Sequence, residues 1–195
     1  IMFHISRIII DFKQLLGEGL KVKVLLNVNG MSQYGEAVRP AFRNSACGPT
    51  TVYVILNYLC KNHATAKKDV NELYELLGGT KIGLFKWRFI KNLRAQLGPN
   101  FLIDECNLSE AITQLKHGNP VAMKFDQYFT FQWFTKKKPA YKYHWVPLIG
   151  YEIKNDDLYL IIHDNGGHGR ESEIRSIRYD DNRHVLSFVK IEPRD

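Results

Sequence analysis

The spacing of apolar residues changes once along the chain, and that change restricts the fold more than any other feature. Before Gly118-Asn119-Pro120 apolar residues recur at helical intervals, and after it they gather in short β-branched and aromatic runs. Val52, Ile55, Leu56 and Leu59 share one stripe, with Val54 and Tyr58 beside it. Val70, Leu73, Tyr74 and Leu77 repeat the spacing up to Gly78-Gly79, and Trp87, Ile90, Leu93 and Leu97 do so in a segment from Leu84 that stops at Gly98-Pro99. Asn107 and Glu110 form a capping pair for a fourth helix bearing Leu108, Ala111, Ile112 and Leu115. Residues 121–125, 143–153, 158–163 and 185–191 read as strands, with Asn155-Asp156-Asp157 as a turn. Ahead of them all, the segment through Leu16 reads as a short helix ending at Gly17, and residues 21–26 as an early strand. Segregated helices and strands predict an α+β fold with an antiparallel sheet, not the alternation that builds a parallel one. The expectation is one domain over residues 1–195, helical to about 119 and sheet from about 120.

The surface chemistry is basic, with 27 Lys+Arg against 20 Asp+Glu. The cations are scattered apart from Lys67-Lys68 and Lys136-Lys137-Lys138, and neither a zinc-finger spacing nor a basic region with heptads accompanies them. A solvated surface is expected and a specific nucleic-acid partner is not; an anionic surface or cell-wall polymer remains as a partner class for the excess charge. Cys47, Cys60 and Cys106 cannot all pair and form no CxxC, which argues against a disulfide scaffold or structural zinc and favours a reducing compartment. No apolar run has the length of a membrane span. A cytoplasmic location is expected, with secretion after trimming as the alternative.

Within the helical half, Ala46-Cys47-Gly48-Pro49-Thr50-Thr51 sets a cysteine at the start of a helix. Free N–H groups and the positive dipole end there favour thiolate over thiol, and Pro49 suits an early helical position because its missing N–H would have no partner. Cys47 is therefore a candidate nucleophile. Thiol acyl transfer also needs an imidazole, a group that orients it, and donors for the oxyanion. His144, in Tyr143-His144-Trp145, is the candidate general acid/base; Asp164 is the candidate orienting group, with Asn165 as the competing assignment. Gln33, in Met31-Ser32-Gln33-Tyr34-Gly35, is the candidate oxyanion donor beside the Cys47 backbone N–H.

The order of these pieces resembles papain-like cysteine peptidases. They are most similar to the bacteriocin-processing, double-glycine leader peptidase family and its stand-alone bacterial relatives. The resemblance covers most of the chain: a Gln-Tyr loop, Cys-Gly-Pro-Thr opening an apolar helix, Gly118-Asn119-Pro120-Val121 leading into a strand, His144 on the next, and Asp164-Asn165 after Leu158-Tyr159-Leu160. It implies a two-lobed fold in which helix-borne Cys47 faces sheet-borne His144 across a cleft, and peptide-bond hydrolysis through a thioester, without metal or cofactor, on a peptide or protein substrate. The same triad would equally serve an amidase, a deamidase or a transglutaminase-like acyl transferase. A catalytically silent peptide-binding module is the reading from outside enzymology.

The remaining reactive side chains have plainer readings. Cys60 and Cys106 are assigned to packing, since free cysteine is among the most buried residue types. His163, Asp164 and His168 straddle Gly166-Gly167 without an established ligand spacing, so no metal site is expected. Phe129, Phe131, Trp133 and Phe134 read as core or interface before substrate groove.

Overall fold

In the computed structural model, which describes residues 23–60, 68–128 and 138–194, strands from both halves of the chain enter one antiparallel sheet. In chain order the elements are β1 (Lys23–Leu25), α1 (Cys47–Leu59), α2 (Val70–Leu76), α3 (Lys86–Leu97), β2 (Phe101–Cys106), α4 (Leu108–Lys116), β3 (Val121–Asp126), β4 (Tyr143–Lys154), β5 (Asp157–Asp164), β6 (Glu173–Arg178), α5 (Tyr179–Asn182) and β7 (Leu186–Pro193). The strands follow the order β2-β7-β3-β4-β5-β6, and β1 also pairs with β4. Where β3 leaves β4 at Leu148, β1 takes over at Gly150, next to a bulge. Glycine is needed there, because a Cβ on Gly150 would stand 2.2 Å from the Val24 carbonyl oxygen. Asn155 and Asp156, both at positive φ, close the β4–β5 hairpin as a two-residue turn requires.

Each expected helix within the described residues forms, with instructive shifts at the ends. The first backbone bond of α1 runs from Thr50 N–H to the Ala46 carbonyl, so Pro49 sits where its missing N–H costs nothing. The α4 capping box joins Asn107 and Glu110 as the sequence predicts, and α2 carries a second one from Asp69 and Glu72. α3 begins at Lys86, later than the periodicity suggests. The Leu84 carbonyl accepts the Tyr143 hydroxyl and the Trp145 indole N–H, each at 2.9 Å, which ties this residue to the sheet.

Two strands, β2 and β6, have no counterpart in the sequence reading. Both are edge strands held from one side, β2 by β7 and β6 by β5. Neither alternates cleanly: Asp104 and Glu105 are both exposed, and so are Glu173 and Ile174. β1 and β2 also mean that the division near residue 119 does not separate helix from strand. The segment through Leu16, Lys67, and the 129–137 stretch with its aromatic cluster and Lys136-Lys137 lie outside the described residues.

The sheet is buried on both faces. Val121, Met123, Val146, Leu148, Leu160 and Ile162 pack with Ala111, Ile112 and Leu115 of α4 on one face. Ala122, Trp145, Val189 and Ile191 pack with α1, α2 and α3 on the other, where Trp145 stacks on Phe89 at 4.5 Å between ring centroids. The bulk of this apolar area is what holds a β-branched helix such as α1 together. His163 belongs to packing as well: its ring occupies the space where a Gly30 side chain would be, 1.8 Å from an added Cβ. Gly30→Ala is expected to destabilise the fold by about 1–3 kcal/mol. Denaturant unfolding checks this, and an unchanged midpoint would contradict the packing.

Candidate active site

Three ionisable side chains from three elements meet at one end of the sheet. Cys47 is the first residue of α1, His144 the second of β4 and Asp164 the last of β5. Strand alternation aims the latter two alike: His144 stands on the face of Val146 and Leu148, and Asp164 on that of Ile162, which pairs with Leu148. His144 Nε2 lies 3.0 Å from Asp164 Oδ1, which leaves Nδ1 for the sulfur. The His144 ring and the Cys47 thiol interact through a hydrogen bond and charge. Gly48 allows the close approach of α1, since a Cβ there would meet Leu84 at 2.9 Å and Trp145 at 3.4 Å.

Burial alone would favour neutral forms for all three groups, and mutual contacts override it. Burial pushes the Cys47 thiol up, yet the hydrogen bond and charge of His144, with the backbone amides of Trp145 and Gly48, bring it below its ordinary value. Burial likewise lowers the His144 imidazole, but Asp164 and Cys47 together raise it to about 9. Asp164, with no exposed surface, is raised by burial and lowered more strongly by His144 and Arg170, to about 2. The arrangement favours a thiolate beside an imidazolium beside a carboxylate. The other cysteines lack such partners: burial raises Cys60, and burial with Glu110 nearby pushes Cys106 up to about 12.

A cleft of about 280 Å³ opens above the sulfur, bordered by Gln33, Tyr34, Gly83, Tyr143, His144 and Gly167. Gln33 is fixed there from both ends. Its backbone N–H donates to the Asn165 carbonyl at 2.8 Å and its Nε2 to the Arg43 carbonyl at 2.7 Å. Nε2 thus has one further hydrogen to donate, and Oε1 is buried without a partner. Asn165 does something different from Asp164. Its amide nitrogen reaches the Cys47 carbonyl, Thr51 Oγ1 and the Trp145 carbonyl within 2.9–3.1 Å, pinning the start of α1 to β4 without touching the His144 ring.

The sequence reading missed the surroundings of Asp164. Arg170 Nη2 donates to Asp164 Oδ2 at 2.6 Å, Arg175 Nε stands 3.4 Å from the same oxygen, and the Tyr141 hydroxyl also bonds to the carboxylate. Both arginines look like scattered surface cations in the sequence. The signal that could have found Arg175 is the unread β6, whose pairing with β5 sets it opposite Ile162, on the face of Asp164. The His168 ring lies against Tyr34, with centroids 4.3 Å apart and planes tilted by 46°.

Comparison with known proteins agrees on the architecture. A putative C39-like peptidase from Bacillus anthracis superposes with a TM-score of 0.57 at 16% identity, covering 89% of this chain and 99% of that one. The bromelain protease from Ananas comosus, solved with the E64 inhibitor, gives 0.52 at 14% identity over 90% of this chain and 100% of its own. A double-glycine-motif protease from an AMS/PCAT transporter, solved with its leader peptide, gives 0.51 at 14% identity over 88% of this chain and 95% of its own. At such identities the likeness establishes a papain-like α+β fold. No curated protein matches the sequence. The sequence model of the Peptidase_C39 like family matches residues 25–187, which spans the helix bearing Cys47 and the strands bearing His144 and Asp164, and the chain belongs to that family.

Proposed function

We propose that this protein is a cysteine peptidase that cleaves peptide bonds through a thioester, with Cys47, His144 and Asp164 as its catalytic triad. The observation that carries the proposal is the continuous row from Cys47 through His144 to the buried Asp164 carboxylate at the foot of an open cleft. The Cys47 thiolate attacks the carbonyl carbon of a peptide laid across the cleft. Negative charge develops on the carbonyl oxygen and is met by the free Nε2–H of Gln33 and the Cys47 backbone N–H from the first turn of α1. His144, protonated at the outset, gives its proton to the departing amine as the tetrahedral intermediate collapses to the thioester. A water molecule, deprotonated by the now neutral imidazole, then releases the acyl group as a carboxylic acid and returns the Cys47 thiolate beside a protonated His144. Asp164 keeps the ring oriented and offsets its charge throughout. The related transporter protease bound to a leader peptide supports a peptide as the substrate class.

Thiol reactivity tests this without knowledge of the natural substrate. Because His144 lowers the Cys47 thiol while burial raises Cys60 and Cys106, iodoacetamide at pH 6–7 is expected to alkylate Cys47 at least about 100-fold faster than either. The Cys47 rate should rise again near pH 9, where His144 loses its proton. Peptide-resolved mass spectrometry reads the three sites separately. Equal labelling of all three at pH 6 would refute the ion pair and with it the peptidase.

A further inference from the structure

We propose that Arg170 is a positioning residue that clamps the turn at the cleft rim onto the outer oxygen of Asp164 and sets the pH up to which His144 keeps its proton. The inference rests on the peptidase reading and adds a member to its machinery.

The clamp is built from the backbone outward. Gly167 and Arg170 exchange backbone hydrogen bonds of 3.0 and 3.1 Å, closing the turn Gly167-His168-Gly169-Arg170. Gly166 and Gly167 border the cleft, and His168 rests on Tyr34 of the Gln33 loop. From the far side of that turn the Arg170 guanidinium forks. Nη2 donates to Asp164 Oδ2 at 2.6 Å and Nη1 to Glu173 Oε1 at 2.8 Å. With Oδ2 engaged, Oδ1 is the oxygen presented to the His144 ring.

The register of the sheet explains why a cation is required. Asp164 pairs directly with Glu173 across β5 and β6, so two carboxylates stand side by side on one face, an arrangement that is repulsive by itself. Arg170 and Arg175 both bridge them. The groups facing Asp164 are His144 from β4, Tyr141 from the approach to it, Arg170 from the rim turn, and Glu173 and Arg175 from β6, with Cys47 of α1 behind His144. Thiolate, Asp164 and Glu173 balance imidazolium, Arg170 and Arg175. Removing Arg170 leaves an uncompensated negative charge next to His144, which makes the imidazolium harder to deprotonate.

The test is the pH dependence of Cys47 alkylation by iodoacetamide in the full chain, read by peptide-resolved mass spectrometry. In Arg170→Gln the upper inflection is expected to move up by about one pH unit, the size of one screened charge at this range. Arg170→Lys should stay near the wild-type inflection. Arg178→Gln, which removes a nearby cation at the end of β6 where it pairs with Asp157, should leave it in place. An inflection in Arg170→Gln that is unmoved or lowered overturns the clamp, as does an equal upward shift in Arg178→Gln. Failure of the peptidase reading looks different: the wild-type protein would then show no selective Cys47 reactivity at pH 6 at all.

Discussion

Replacing Cys47 by alanine is expected to reduce peptide hydrolysis by a factor on the order of 10⁶, to the level of the protein's residual environment effects. The size follows from what the sulfur does. Without it no thioester forms, and a water attacking directly has neither the nucleophilicity of a thiolate nor a fixed position against the carbonyl carbon. Alanine is close in volume to cysteine and Cys47 sits in a tightly packed helix start, so the variant should fold. His144 would report the change even in the absence of substrate. The Cys47 contribution to its raised value disappears, and its titration, followed by ring resonances in NMR, should move down. Turnover that survives in Cys47→Ala, with the contaminating activity of other peptidases excluded by an inhibitor control, would remove the sulfur from the mechanism.

The sequence made the candidate site more legible than the sheet that carries it. Cys47, His144 and Asp164 each sit at an element terminus, where local chemistry is written in short motifs: Cys-Gly-Pro-Thr at a helix start, and Asp-Asn-Gly-Gly at a strand end. Helices α1 to α4 were legible because the residues facing the core recur at a fixed interval. β2 and β6 were not, since an edge strand with one paired side and one wet side needs no strict alternation; Ile103 and Cys106 are the only buried residues of β2. That gap had a chemical cost. Without β6 there is no way to see that Arg175 and Glu173 face Asp164, and without the rim turn no way to see that Arg170 folds back six positions to reach it. Charged side chains acquire meaning from strand register, which a single sequence states weakly. Gln33 and Asn165 show the same limit from another side. Their positions were found by motif, but only the folded chain separates an amide that borders the cleft from one whose bonds all go to α1 and β4.

Asp164→Ala is expected to have the second largest effect, and on stability as well as on rate. The carboxylate has no exposed surface and receives hydrogen bonds from His144 and Arg170. Deleting one member of a buried ionic group strands the others, at a cost of about 3–5 kcal/mol. The lower end applies here, because Arg170 and Arg175 are more than a third exposed and can regain water. Hydrolysis should fall by a factor on the order of 10² to 10⁴, less than for Cys47→Ala, since the nucleophile survives while its acid loses orientation. The pH dependence gives the test its direction. Asp164 in the folded protein is held at about 2, so its contribution is present above the ordinary carboxylate value of about 4 and is lost as pH falls through 2. His144 is held at about 9, so its contribution is present below the ordinary imidazole value of about 6.5 and is lost as pH rises through 9. The stability difference between wild type and Asp164→Ala, measured by urea unfolding, should therefore be widest between about pH 4 and 6.5 and shrink on both sides. A difference that is flat from pH 4 to 9 would mean that Asp164 and His144 are not ionised partners, and the row from sulfur to carboxylate would lose its electrostatic basis.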